Sequence, residues 1–225
     1  MRGLVIGALL AMATAAGCSF DSSGNGKASD GGAPRDMGVS IDVATGPLLL
    51  VTTSTVTGGV VDLTAEGTLD WLHLGLMDKS DQNHKQQGGL QLTPLLVGGG
   101  ERRVTQQVTF TWTDGTPRGS ASTQGAVGNE AVDRGVTLLA PAGPETRHLK
   151  VYVAGDNARG RMLVTLSGNP VPPYQDEVFD FDGAFAGVYE ITYRGAVGQV
   201  LTATYTAATD PGGGGHIAVA AATLR

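Results

Sequence analysis

The densest run of side chains able to do chemistry is Asp62, Glu66, Asp70, Trp71 and His73, within VDLTAEGTLDWLHLG. Two carboxylates flanking a glycosidic bond can serve as acid and base, so one reading is a hydrolase using Asp62, Glu66 or Asp70. The local pattern gives them other work. Asp62 and Glu66 straddle the turn-forming Ala65-Glu66-Gly67, where carboxylates usually cap backbone N–H groups. Side chains alternate along a strand, so Trp71 and His73 share a face opposite Asp70. Trp71 is then a core residue and His73 its packed neighbour, while Asp70 and His73 stay candidates for touching a ligand.

The stretch Asp176, Glu177, Asp180, Asp182 and Gly183 (DEVFDFDG) offers oxygens for a hard cation such as Ca²⁺. The twelve-residue spacing and closing Glu of an EF-hand are missing, so the choice is between a structural Ca²⁺ loop and a solvated acidic loop. Sugar binding, by contrast, needs flat aromatic platforms, and aromatic residues are only 5% of the chain. With Trp71 and Trp112 committed to the core, Tyr152, Tyr174, Phe185, Tyr189, Tyr193 and Tyr205 are left as platforms. Tyr174 follows Pro172-Pro173 in an expected surface loop, where binding residues concentrate, and Tyr152 is placed outward on its strand.

Other chemistries lack their residues. His73, His84, His148 and His216 show no paired metal-ligand spacing, and a single cysteine leaves no zinc set. No G-x-S-x-G elbow occurs, and the glycine runs at 98–100 and 212–215 link strands as hairpin tips, not phosphate cradles. Residues 78–89 (DKSDQNHKQQGG) are polar and aperiodic and read as a mobile loop, conceivably one that covers a ligand. The net charge of −6, with no basic stripe, argues against a nucleic-acid partner.

The elements that must position these groups are strands. Apolar residues recur with period two in short runs bounded by Gly, Pro, Asp and Asn. Residues 104–112 put Val104, Val108, Phe110 and Trp112 on one face. Residues 149–153 put Leu149, Val151 and Val153 inward, with Lys150 and Tyr152 outward. Further strands are expected at 48–56, 60–64, 69–74, 90–97, 135–139, 162–166, 188–193, 200–206 and 217–224. Turns are expected at Asp114-Gly115, Asp156-Asn157, Asn169-Pro170 and Asp210-Pro211-Gly212. Many short strands without helices predict an all-β antiparallel sandwich over residues 45–225, with a closed barrel as the lesser alternative.

The N-terminus reads as an export leader: Arg2, an apolar run at 4–13 too short to span a bilayer, then small residues. Ala15-Ala16-Gly17-Cys18 resembles the bacterial lipoprotein box, except that Ala15 stands where Leu is usual. The resemblance implies cleavage after residue 17 and lipid on Cys18, the only cysteine. Several acyl chains would hold the protein firmly to a membrane on its extracytoplasmic side. Ser19 resembles outer-membrane sorting, where such a membrane exists. Residues 18–44, rich in Gly, Ser, Asp and Ala, then read as a flexible tether spanning roughly 30 Å.

Within residues 45–225, VDLTAEGTLDWLHLG, FTWTDG, LKVYVAG, YEITYRGA and IAVAAATL resemble extracellular bacterial β-sandwich modules of the galactose-binding, jelly-roll type. Such modules are commonly accessory, and a fold does not fix an activity. The resemblance implies a non-enzymatic, surface-tethered domain binding a glycan. A structural or protein-docking role in the cell envelope is the alternative, and a hydrolase the remote one.

Overall fold

The computed structural model describes residues 46–210 and 212–225. The expected leader, Cys18 and tether lie outside the described residues. Among these, the chain order is β1 (Leu48–Thr55), β2 (Val60–Asp62), a helical turn α1 (Leu63–Glu66), β3 (Asp70–Leu74), β4 (Gln82–Lys85), β5 (Thr93–Val97), β6 (Arg102–Trp112) and β7 (Gly115–Thr116). Then follow β8 (Ala121–Asn129), β9 (Gly135–Pro141), β10 (Arg147–Leu166), β11 (Tyr174–Asp176), β12 (Asp180–Arg194), β13 (Val200–Ala207) and β14 (His216–Leu224). The fold is the all-β sandwich that the alternation predicts. Its ladders are antiparallel, save that β2 runs parallel to β6.

Two sheets are joined through β10. Its first half pairs with β12 and β14 in a central sheet, and its second half pairs with β13 and β11 in the other sheet, which continues to β9 and β5. The expected turn at Asp156-Asn157 is therefore a bulge inside one continuous strand. Asn157 takes φ 45°, and the register against β12 slips between Asp156 and Ala158. One extra residue reverses side-chain parity. Leu149, Val151 and Val153 before the bulge and Ala158, Met162, Val164 and Leu166 after it thus line the same core as the strand turns the corner. A slip opposite Tyr152/Val153 does the same for β14. There Ile217 and Val219, then Ala222 and Leu224, face this core.

The central sheet is covered on its other face as well. β8 pairs with β14 through residues 127–129, β6 pairs with β8, and Val104, Val108, Phe110 and Trp112 of β6 pack on Ala154, Ala186, Ala218, Ala220 and Ala221. The alanines leave room for the large rings. This second core corrects the expectation for Tyr152, which is 5% exposed and meets Phe110 edge-on at 5.2 Å. Alternation gave its face correctly, but a sheet buried on both sides has no wet face.

Three further departures have local causes. The strand expected from residue 90 starts only at Thr93, because residues 90–92 arch over Asp70. Its Oδ2 accepts the Gln91 and Leu92 N–H groups (2.7 and 2.8 Å), and its Oδ1 accepts Trp71 N–H (2.8 Å). The loop expected at 78–89 contains β4, held between β3 and β7. β8 went unpredicted because its glycines hide a strand. A Cβ on Gly125 would lie 2.0 Å from the Gly75 carbonyl oxygen, so this close approach needs glycine.

Candidate functional site

At one margin of the second core, the β3–β4 connection and the segment between β7 and β8 face each other across a groove of about 520 Å³. It is lined by Leu76, Met77, Ser80, Asp81, Gln82, Asn83, Pro117 and Arg118. A second depression of about 340 Å³ shares Leu76, Met77 and Arg118 and adds Ser120, Ala121 and Ser122. Both volumes fall in the range of small-ligand sites. The lining combines hydroxyls, amides, one carboxylate and one guanidinium with the apolar Leu76, Met77, Pro117 and Ala121.

Both walls are fixed by hydrogen bonds. On the first, Asp81 Oδ2 accepts Met77 N–H (2.7 Å) and Asp78 N–H (2.9 Å), while Asp78 Oδ1 accepts Ser80 N–H (3.0 Å) and the Ser80 hydroxyl (2.9 Å). Gly75 N–H donates to the Asp81 carbonyl at 2.9 Å and closes the loop. These bonds hold Asp78 below the usual carboxylate range, chiefly through the Ser80 amide. On the other wall, Trp112 Nε1 donates to the Arg118 carbonyl (2.9 Å), Arg118 N–H donates to Asn83 Oδ1 (3.2 Å), and Gly115 N–H donates to Gly119 O (3.0 Å).

Behind this wall Asp114 accepts from Thr64 Oγ1 (2.5 Å), Trp71 Nε1 (2.9 Å) and Lys85 Nζ (2.6 Å). Burial opposes its charge, but the bonds from Lys85, Thr64 and Trp71 prevail and lower its pKa. The indoles of Trp71 and Trp112 lie 5.3 Å apart. One donates to Asp114 and the other to Arg118, so this aromatic pair braces the groove from within the core.

Compared with known proteins, the chain matches no family model, no curated protein and no solved structure.

The residues singled out in the sequence lie elsewhere. Asp70 is fully buried, and burial raises its pKa despite its three backbone donors. His73 is fully buried too, its ring 5.1 Å from Trp112 and 5.8 Å from Phe110, the packed neighbour it was expected to be. Among the described residues neither ring nitrogen makes a hydrogen bond of normal geometry, and burial, opposed in part by the Gly125 backbone, lowers its pKa to about 4. The Tyr152 hydroxyl donates to Glu66 Oε2 (2.5 Å), and burial, then Glu66, pushes its pKa up. Asp62 caps α1 by accepting Ala65 N–H at 3.2 Å, as its turn position suggested. Tyr174 is partly buried against the first core and donates to Asp176. None of these lines the groove.

The acidic stretch is dispersed. Asp176 also accepts the Tyr189 hydroxyl (2.7 Å), Glu177 pairs with Arg161 (2.9 Å) and Arg159 (3.8 Å), Asp180 pairs with Arg159 (2.5 Å), and Asp182 is exposed. Among the described residues no three His, Cys, Asp or Glu side chains converge to hold a metal ion. Of the two readings left open for this stretch, a Ca²⁺ loop at Asp176, Glu177, Asp180 and Asp182 or a solvated acidic loop, neither describes these partners: Asp176 takes tyrosine donors, and Glu177 and Asp180 pair with arginines of β10 that lie within reach.

Ser80, Gln82 and Asn83 fall in the segment 78–89 that the sequence offered as a ligand-covering loop, whereas Met77 and Arg118 escaped the sequence reading. A weak signal existed in Thr116-Pro117-Arg118-Gly119-Ser120, a turn-rich run directly after a core strand. Nothing local, however, shows that residue 118 meets residue 83.

Proposed function

We propose that this domain is a non-enzymatic binding module of the cell envelope that holds an extracellular glycan in the groove between Met77 and Arg118. The observation that carries the reading is the polar lining on two walls already fixed by internal hydrogen bonds, since a preorganised site loses little entropy on binding. The likeness of the sequence to galactose-binding, jelly-roll modules supports the same ligand class. Of the described aromatic side chains, all but Tyr174 are buried. The sugar is therefore gripped by hydrogen bonds and not stacked on a ring.

The proposal includes attachment through lipid on Cys18, which rests on the N-terminal sequence. Retention on a glycan array or a polysaccharide pull-down tests the binding. Groove substitutions Gln82→Ala and Ser80→Ala should weaken retention, whereas no retention of any sugar refutes it.

A second reading, docking to an envelope protein, is favoured by a different surface. Leu90, 74% exposed, joins Thr93, Leu139, Ala140, Pro141 and Val200 around an apolar depression of about 320 Å³. Crosslinking in intact cells separates the two, since one stoichiometric protein partner supports docking.

A further inference from the structure

We infer that the groove selects acidic glycans, and that Arg118 is the residue that reads the sugar carboxylate. The inference rests on the glycan reading above and names the ligand class within it.

Arg118 is mounted on a held backbone. Its carbonyl is held by Trp112 Nε1 and its N–H by Asn83 Oδ1, and both Trp112 and Asn83 are 1% exposed. Two buried polar side chains thus fix the backbone of a surface residue. The side chain is treated differently. It is exposed at the rim shared by both depressions, and among the described residues its guanidinium has no hydrogen-bond or ion-pair partner. Arg102, Arg159 and Arg161 each meet a carboxylate. A fixed base carrying an open guanidinium suits an incoming planar anion, because its N–H groups match the two oxygens of a carboxylate.

The one carboxylate in the lining does not cancel this preference. Asp81 Oδ2 already accepts two backbone N–H groups of its own loop. Ser80, Gln82, Ser120 and Ser122 are exposed around the arginine and can satisfy sugar hydroxyls. A uronic acid residue combines these needs: a carboxylate for Arg118 and hydroxyls for the amide and serine groups.

Affinity electrophoresis of the purified protein tests this in gels containing polygalacturonate, alginate or hyaluronate, each beside its carboxyl-reduced neutral form. The expected result is retardation by at least one acidic polymer and retardation at least about tenfold weaker by its neutral counterpart. Arg118→Gln should abolish the difference, Arg118→Lys should keep part of it, and added salt should weaken it. The substituted side chain leaves both backbone bonds in place, so an unchanged melting temperature verifies the fold. Equal retardation by acidic and neutral polymers, or an acidic preference that survives Arg118→Gln, overturns this inference and leaves the glycan reading standing. Retardation by no polysaccharide, acidic or neutral, overturns both.

Discussion

Replacing His73 by phenylalanine should remove a large part of the protein's sensitivity to acid. The imidazole is fully buried between Trp112 and Phe110, and burial lowers its pKa from 6.5 to about 4. Between those values the unfolded chain binds a proton that the folded chain refuses, so stability rises with pH across this window and falls as pH drops through it. The gap corresponds to ~3 kcal/mol once pH reaches 4, of which ~2 kcal/mol is already lost at pH 5. Asp70, with its raised pKa, acts in the opposite sense, while His84 and His216, with lowered values, act in the same sense. All three remain in the variant and cancel in the comparison. Urea unfolding of both proteins at pH 8 and pH 5 is the assay. The stability of His73→Phe relative to the parent should improve by ~2 kcal/mol on going from pH 8 to pH 5. His73→Leu should show the same pH-dependent gain, even if packing shifts both of its values. A difference that does not change with pH in either variant would show that burial does not lower the His73 pKa.

Asp70→Asn should cost about 1–3 kcal/mol, because three backbone N–H groups lose a charged acceptor. Limited proteolysis should then cut within residues 86–92 first, and resistance equal to the parent counts against this role. Trp112→Phe keeps the ring but removes the donor to the Arg118 carbonyl, so it should lower glycan retention without touching the groove; unchanged retention contradicts the bracing argument. Melting temperature in EDTA and in millimolar Ca²⁺ should be the same, and a rise with Ca²⁺ would restore the metal loop expected at Asp176, Glu177, Asp180 and Asp182.

Local periodicity made much of the fold legible. Residues 104–112 show Val104, Val108, Phe110 and Trp112 on one face, and that face is buried. Leu149, Val151 and Val153 point into a core, and Trp71 is fully buried, each as alternation required. What stayed hidden depends on partners distant in the chain. Tyr152 looked wet because nothing near it announces that β6 folds across the outer face of its sheet. Asp156-Asn157 carries turn chemistry, yet the neighbouring strand β12 continues past it and turns the same conformational preference into a bulge. β4 is four polar residues, only one of them buried, whose strand conformation follows from pairing with β3 and β7. The groove was the least visible of all, since its walls come from residues 76–83 and 117–122 and meet through Asn83 and Arg118.

The groove is rigid before any ligand arrives, a property that amide hydrogen exchange of the free protein measures. The N–H of Arg118 should exchange at least ~100-fold more slowly than an unstructured amide, with Met77 and Asp78 also protected, because each donates to a fixed acceptor. Exchange at the unstructured rate at Arg118 would show that Asn83 and Trp112 do not hold this wall, and the groove would no longer be a preformed site.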